Sequence, residues 1–282
     1  IYRRNLMQNQ MSHFNEYRER AALSNEQLMR ACPAVFAERA HERTSERYAF
    51  IPTIQLVDGL RGAGWHPVSA KQANVRDVTR RGFQKHVVRF QHADAQKMVV
   101  LGDTTPELVL VNSHDSGSAY QLHAGLFRLA CLNGLVVADK TLAKKSVRHS
   151  GDAVQLVIEG TYQIVDELPK VMESVRHWGS IVLTGEEQIA FARAALMLRY
   201  DSPEEAPVMA DQLNRVRRSA DTGSDLWSTG NRVQENLTKG GLRGRVVEGR
   251  RKGMRKVGSI GEDTRLNKAL WSLAAEMQAL KA

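Results

Sequence analysis

Residues 54–70 read IQLVDGLRGAGWHPVSA, and the predicted fold depends on the transition inside this stretch. Its first half carries apolar side chains at helical spacing: Ile54, Val57 and Leu60. Pro52 suits the first turn of a helix, whereas Gly62 and Gly64 are residues at which helices end. The run from Trp65 to Ala70 is typical of a strand. We therefore predict a helix that stops at the glycines and leads directly into a strand.

Apolar stretches further along the chain predict more strands. Lys85 to Gln91 places apolar residues between basic ones, and Glu107 to Asn112 holds a continuous apolar run. The basic residues 74–82 form the loop or hairpin between strands. Tyr120 to Phe127 has the period of a fourth strand, although residues 125–137 are also compatible with the start of a buried helix. The predicted centre is thus a helix, a β-hairpin and a further strand.

Helices are predicted on both sides of this centre. Ser24 and Gln27 form a capping pair at one helix start, and Pro33 follows its end. Residues 151–200 give three helical stretches with a break at Pro169, and two more helices are predicted over 226–237 and 264–280. We expect the α+β class, with a short antiparallel sheet packed on long helices. The predicted regions are an N-terminal arm (1–50), a core domain (51–202) and a C-terminal helical region (203–282).

The composition is that of an ordinary globular protein. Of 282 residues, 42% are hydrophobic and 25% are charged, as in typical soluble domains. No apolar run is long enough to cross a membrane, and the first residues contain no signal-peptide core. We therefore expect a cytoplasmic protein without a membrane partner, in which Cys32 and Cys131 are free thiols.

Positive charge is the main indication of a partner. The net charge is +9, which favours a polyanion and most often nucleic acid. Six cations surround the predicted hairpin, against the single acid Asp77: Lys71, Arg76, Arg80, Arg81, Lys85 and Arg89. Because side chains two apart on a strand share a face, some of them would form a strip that tracks phosphates. The alternative is a solvated sheet face.

Further residues extend this predicted surface. Four cations would complete a groove: Arg128, Lys144, Lys145 and Arg148. Residues 239–256 carry eight basic residues and one acid, a net charge of +7. We expect this Gly-rich segment to be a flexible tail that captures DNA through Arg243, Arg245, Arg250, Arg251 and Lys252, the alternative being a disordered solubilising loop. Trp65, Phe83 and Tyr120 are candidates for stacking on bases, although Trp65 fits a core position better.

Residues 112–135, NSHDSGSAYQLHAGLFRLACLNGL, hold the most chemically varied side chains. The spacing of His114, His123 and Cys131 matches no recognised metal-ligand pattern. The adjacent Ser113, His114 and Asp115 cannot form a catalytic triad, and the chain contains no P-loop. We expect no metal and no cofactor. The simplest interpretation is a tight polar turn with Asx-type hydrogen bonds and Gly117 at positive φ.

Several motifs together resemble the YafZ/YfjQ family, which is carried by prophages and plasmids and has no known function. The resemblance spans most of the chain, and its segments are SERY (45–48), IPTI (51–54), VRD (75–77), NSHD (112–115), GLFR (125–128), Cys131 with NGL (133–135), RAALM (193–197) and VQEN (233–236). It marks Asn112, His114, Asp115 and Tyr120 as family-signature residues whose role is open.

The helix-to-strand passage at 54–68 also resembles the opening of the Rad-fifty-two-type single-strand annealing fold, which the Redβ, RecT and Erf proteins share. In that fold a helix with a Gly-Trp exit precedes a β-hairpin, a further strand and a long helix. The resemblance implies an oligomeric ring or filament that holds single-stranded DNA in a basic groove, with neither a cofactor nor covalent chemistry.

These observations give three functional hypotheses. The first is an oligomeric protein that binds and anneals single-stranded DNA. The second is a mobile-element protein that binds a host defence or regulatory protein through residues 112–133. The third is a metal-dependent nuclease that uses His114, Asp115 and His123. The sequence leaves open the oligomer size and the choice between DNA and RNA.

Overall fold

The computed structural model describes ten segments of the chain: residues 16–18, 22–46, 48–93, 104–128, 133–136, 145–147, 153–202, 204–244, 246–247 and 250–282. Side chains are described for these residues except 16–18, 127–128, 133–136, 145–147, 153, 246–247 and 250–251. Three predicted DNA-binding residues lie outside the described residues: Lys144, Arg148 and Arg245. For four others only the backbone is described: Arg128, Lys145, Arg250 and Arg251.

The described residues contain six α-helices and nine strands. The helices are α1 (Asn25–Ala31), α2 (Thr53–Gly62), α3 (Ala153–Trp178), α4 (Gly185–Met197), α5 (Leu226–Lys239) and α6 (Ile260–Lys281). The strands are β1 (Glu16–Arg18), β2 (Trp65–Gln72), β3 (His86–His92), β4 (Thr104–Asn112), β5 (Tyr120–Arg128), β6 (Asn133–Val136), β7 (Lys145–Val147), β8 (Val246–Val247) and β9 (Arg250–Arg251). The predicted α+β class, with its antiparallel sheet and long C-terminal helix, is confirmed.

The chain divides into two units. The first is formed within Ile1–Met98, Glu107–Ala124 and Ala143–Asp166, and the second within Val99–Pro106, Gly125–Leu142 and Glu167–Ala282. The boundaries predicted from the sequence, after residues 50 and 202, stay predictions. None of the helices in the described residues combines the length and the apolar character needed to span a bilayer.

The first unit is built on a sheet in which β1, β2, β3, β4 and β5 are neighbours in that order, and β7 also pairs with β5. Strands β2 and β3 are antiparallel, with Lys71 opposite Val87, and β3 and β4 are antiparallel, with Val88 opposite Leu110. The register between β2 and β3 shifts at Pro67 and Ser69, so Val68 forms a bulge. Side chains of β2, β3 and β4 are buried along most of their length.

Helix α2 packs on β2 and supplies one wall of the core of the first unit. Its apolar residues Leu56, Val57 and Leu60 are fully buried. From the sheet, Phe90 and Leu108 join the same buried core. Full burial of such side chains stabilises a fold by about 1.5–3 kcal/mol each. The predicted helix, its stop and the strand after it are therefore confirmed, because apolar spacing and the glycines act locally.

The second unit is helical around three tryptophans. The rings of Trp178 and Trp271 lie 4.4 Å apart, and those of Trp178 and Trp227 lie 6.3 Å apart. The indole Nε1 of Trp178 donates to Oε1 of Gln278 at 2.6 Å, which satisfies its polar atom in the core. Helix α5 packs against both α4 and α6.

Three predictions of local structure are corrected here. Helix α3 continues through Pro169; the buried Leu168, Val171 and Met172 offset the cost of about 3 kcal/mol for proline in a helix interior. The alternative helix over 125–137 is wrong, because Gly125–Arg128 of β5 pair with β6. The third correction concerns the segment 239–256.

The described part of segment 239–256 is not a flexible tail. The backbone N–H of Gly241 donates to Met254 O at 2.8 Å, and that of Met254 donates to Leu242 O at 3.2 Å. The side chains of Leu242 and Met254 are both buried, and β8 pairs with β9. A Cβ at Gly244 would overlap the carbonyl of Lys252. The backbone at Gly244 and the backbone at Lys252 therefore approach to a distance that only glycine permits.

Candidate functional site

Thr53, the first residue of α2, lies at the centre of a buried polar cluster in the first unit. Its hydroxyl oxygen is 2.9 Å from Nε2 of His86 on β3 and 3.0 Å from Nε2 of His114. Nδ2 of Asn112, the last residue of β4, donates to the same oxygen at 2.9 Å. All four side chains are fully buried. Buried polar groups need such partners because an unsatisfied one is costly, so the cluster fastens α2 to β3 and β4.

Two tyrosines support the same region. The hydroxyl of Tyr120 on β5 donates to Ile51 O at 2.6 Å, and that of Tyr48 donates to Ser113 O at 3.2 Å. Burial raises the pKa of both phenols above the usual range; for Tyr48 the nearby Tyr120 and Asp115 raise it further. Both tyrosines are therefore neutral donors at physiological pH, and Tyr120 is too buried to stack on a base.

The turn after β4 is shaped by Asp115. Its Oδ1 accepts from the backbone N–H of Gly117 at 3.0 Å, which is the Asx-type bond that the sequence predicts. The positive φ, however, lies at Ser116, at 62°, and the prediction for Gly117 is wrong. Glycine is required at 117 for space, because a Cβ there would lie 2.8 Å from Oδ1 of Asp115.

Asp115 also fixes the connection between β2 and β3. Its Oδ2 accepts from Nε of Arg80 at 2.9 Å and from a terminal guanidinium nitrogen of the same residue. Burial acts to raise the pKa of this carboxyl, but the hydrogen bonds from Arg80, Gly117 and Ser113 outweigh it and hold the pKa below its usual range. Asp115 is therefore an anion at neutral pH and neutralises Arg80.

His114 ties the same connection down through its backbone. Its N–H donates to Phe83 O at 2.8 Å, and its carbonyl accepts from His41 N at 2.9 Å. The ring of Phe83 meets the ring of His41 edge-on at 5.3 Å. Together with Arg80 and Asp115, these bonds hold the β2–β3 connection, residues 73–85, against the turn after β4.

The structure divides the six predicted hairpin cations into two groups. Arg89 is buried and bonds Oε2 of the fully buried Glu107 at 3.1 Å, Arg80 is paired with Asp115, and Lys71 is 9% exposed. The second group is Arg76 and Arg81, which are exposed, and Lys85, which is half-buried. Among the six, only this second group combines at least partial exposure with the absence of an ion pair within the described residues.

The remaining predicted site residues are placed as follows. Arg243 and Lys252, in the second unit, are exposed. Trp65 is 2% exposed and belongs to the core rather than to a stacking surface.

Among the described residues no three His, Cys, Asp or Glu side chains come close enough to hold a metal ion. His114 and Asp115 instead bond to Thr53 and Arg80.

The host-protein hypothesis depends on residues 112–133, of which residues 112–115 are buried, whereas Ser116 and Gly117 are exposed. Asn112, Ser113, His114 and Asp115 are all at most 1% exposed. A side chain that is inside its own fold cannot make the contacts of an interface. The signature residues therefore organise the first unit from within.

Sequence reasoning missed two features of the structure. One is the central role of Thr53 and His86, which only the fold brings together with His114. The other is a cluster of arginines in the second unit: Arg215, Arg217 and Arg218. The run NRVRR at 214–218 was a usable signal, because three arginines in four residues are typical of polyanion-binding surfaces.

Comparison with known proteins identifies the family of this chain. The family described as "Domain of unknown function (DUF932)" matches residues 40–271. Two Escherichia coli (strain K12) proteins, "UPF0380 protein YafZ" and "UPF0380 protein YfjQ", are each 42% identical over 260 residues, which cover 92% of this chain and 93% of each relative. No solved structure matches the chain.

Proposed function

Because the chain belongs to the DUF932 family, whose description names no activity, its function has to be inferred from its own residues, and we propose that it binds single-stranded DNA and anneals complementary strands. The resemblance to the YafZ/YfjQ family is thereby confirmed, and the activity is our proposal. The observation that carries it is the uncompensated positive charge on the β2–β3 connection.

The net charge of the β2–β3 hairpin is obtained by counting its ions together with the acids that bond to them. The six cations Lys71, Arg76, Arg80, Arg81, Lys85 and Arg89 face three acids, Asp77, Glu107 and Asp115, which leaves +3. Glu107 and Asp115 are bonded to Arg89 and Arg80. Asp77 accepts from N and Oγ1 of Thr79 at the start of a short 3₁₀ helix, Val78–Arg80. Arg76, Arg81 and Lys85 therefore offer charge to an external anion.

The rigidity of the connection favours a binding role. Its backbone is held at Phe83 by His114, and its Arg80 is held by Asp115. A surface that is already ordered loses less conformational entropy when it binds, so more of the interaction energy remains as affinity. The side chain of Val78, 64% exposed between these cations, adds an apolar surface on the same connection that an unstacked base can contact.

Annealing needs no covalent step. Cations that neutralise phosphates release counterions and reduce the repulsion between two strands. Holding two extended strands close together then raises their effective concentration, which accelerates pairing by proximity alone. Several copies of the protein on one strand would extend this effect, and we therefore expect a homo-oligomer on DNA.

The test is the annealing of two complementary, fluorescently labelled oligonucleotides by the full chain, with and without EDTA, across a salt series. We expect acceleration that persists in EDTA and decreases with salt. The variant Arg76→Gln/Arg81→Gln/Lys85→Gln should bind single-stranded DNA more weakly and reduce the slope of log K against log salt by about 2, since single strands lose about 0.7 per phosphate contact.

The matched control is Arg30→Gln/Arg39→Gln/Arg176→Gln. It removes the same charge from exposed positions outside residues 73–85. If both triple variants lost the same affinity, the effect would be one of net charge and the connection would not be the binding surface. If the wild-type chain neither bound nor annealed single strands at low salt, the proposal would be overturned.

A further inference from the structure

We propose that the second unit contains a separate phosphate-binding site, formed by Arg215, Arg217 and Arg218 beside the C-terminal end of α5. The site would take a phosphodiester group of the nucleic-acid backbone. This identification of the ligand rests on the proposed function, whereas the anion site itself follows from the contacts of the second unit.

The site begins with a buried asparagine that fixes the backbone of the arginine segment. Asn236 on α5 is fully buried, and its Nδ2 donates to Leu213 O and to Arg215 O, both at 2.8 Å. A side-chain amide that satisfies two carbonyls of a neighbouring loop holds that loop in one conformation. Residues 213–215 are therefore held against α5, and the arginines that follow start from a fixed point.

Arg217 is held by neutral acceptors rather than by an acid. Its Nε donates to Oδ1 of Asn236 at 2.5 Å, and a terminal nitrogen donates to the carbonyl of Gly240, the C-cap of α5. These bonds orient the guanidinium without cancelling its charge. An oriented guanidinium with charge to spare is the group that recognises phosphate in proteins.

One buried carboxylate, Glu235, is shared by two of the neighbouring cations. Glu235, whose side chain is 3% exposed, accepts from Arg218 at 3.1 Å and from Lys239 at 2.9 Å. Arg217, Arg218 and Lys239 against Glu235 leave +2, and the exposed Arg215 raises this to +3. Burial is the main cause that lowers the pKa of Arg217, and repulsion from Arg215 and Arg218 adds to it, against the attraction of Glu235. A bound anion would relieve that repulsion.

A purely structural explanation makes a different prediction. Cations near the end of a helix stabilise it by interacting with its dipole, and in that case the arginines would affect folding and nothing else. Arg215 separates the two explanations, since its exposed side chain makes no bond within the described residues. Arg243 lies close to the arginine segment, because its carbonyl accepts from Nε2 of Gln212 at 3.0 Å.

The first experiment measures the thermal unfolding of the full chain with inorganic phosphate, against sodium chloride at equal ionic strength. We expect phosphate to raise the Tm of the wild type and of the control Arg193→Gln, an exposed arginine on α4, and to have little effect on Arg215→Gln. Arg217→Lys keeps the charge but loses the planar fork, and it should also lose most of the phosphate shift. An equal phosphate shift in the wild type and Arg215→Gln would overturn the site.

The second experiment measures single-stranded DNA affinity against salt for the same variants. Arg215→Gln should lower the slope of log K against log salt by about 0.7, one phosphate contact, and Arg193→Gln should leave it unchanged. Unchanged DNA binding by Arg215→Gln would exclude nucleic acid as the ligand. A phosphate shift that depends on Arg215, in a chain that binds no DNA, would support the anion site and reject the annealing function.

Discussion

The guanidinium of Arg80 is held by the buried carboxylate of Asp115, 35 residues later in the chain, at 2.9 Å from its Nε. The pair joins the connection of one β-hairpin to the turn that follows the next strand. Because Asp115 also accepts from Gly117 N–H, one carboxylate sets both the turn and the connection. The exposed cations Arg76 and Arg81 lie on either side of this fixed point.

Replacing Asp115 should destabilise the first unit. Asp115→Asn removes the charge that compensates Arg80. Since Arg80 is about one third exposed, we expect a smaller loss of stability than for a fully buried pair, about 2 kcal/mol. Urea unfolding of the variant and the wild type measures this loss of stability. Asp58→Asn, at an exposed ion pair with Arg61, is the control and should cost about 0.5 kcal/mol or less. Equal effects of the two variants would contradict a structural role for Asp115.

The hydroxyl of Thr53 should contribute more to the stability of the fold than its methyl group does. Thr53→Val leaves His86, His114 and Asn112 without their shared partner, and we expect a loss of about 3 kcal/mol. Thr53→Ser keeps the oxygen and removes one buried methyl group, at a cost of about 1 kcal/mol. Unfolding free energies of the two variants give the comparison. If the serine variant were the less stable one, packing rather than hydrogen bonding would dominate at this position.

Acid should destabilise the chain through Asp115 and Glu235. Burial raises the pKa of each carboxyl, but their hydrogen bonds and cationic partners outweigh it and lower the pKa from 3.8 for Asp115 and 4.5 for Glu235. A group whose pKa is lower in the folded state stabilises the fold above its unfolded pKa and loses that contribution as pH falls through its folded pKa. We expect unfolding free energy to be steady from neutral pH to about pH 5 and to fall below about pH 4. The fall should be shallower in Asp115→Asn, and an equally steep fall would contradict this assignment.

The thiol of Cys32 should be inert in the native protein. Cys32 is fully buried, and burial raises its pKa far above the usual range despite a hydrogen bond from the backbone at Val35. The thiolate is the reactive form, so we expect Ellman's reagent to label Cys32 in a Cys131→Ser variant only after unfolding. Rapid labelling at pH 8 without denaturant would show that the α1 region opens readily.

Local features of the fold were predictable because the residues that determine them are neighbours. The capping box of Ser24 and Gln27 is present as expected, and the helix that ends before Trp65 follows from apolar spacing and glycine alone. The candidate site was predictable only in part. Arg76, Arg81 and Lys85 could be proposed from charge, but the loss of Arg80 and Arg89 to buried acids could not.

Long-range partners explain what the sequence did not reveal. His86 and His114 contact Thr53 across sequence separations of 33 and 61 residues. Helical or strand periodicity gives no information about contacts over such separations. The error at Gly117 has a similar cause. Glycine suggested a left-handed backbone, but the reason for glycine is the approach of the Asp115 carboxylate, which no local pattern encodes.

The single hydroxyl of Thr53 has one proton to give, and this makes its two histidine neighbours chemically different. Nδ1 of His86 lies 2.9 Å from Gln84 O, a carbonyl that only accepts, so the proton of a neutral His86 is on Nδ1 and its Nε2 takes the threonine proton. Asn112 already donates to the same oxygen, so His114 must donate through Nε2. The hydrogen-bond network thus assigns opposite tautomers to the two rings, and ¹⁵N shifts of the imidazoles would distinguish them. A proton on Nε2 of His86 would give the hydroxyl three incoming donors for two lone pairs, so the arrangement requires this nitrogen to remain the acceptor.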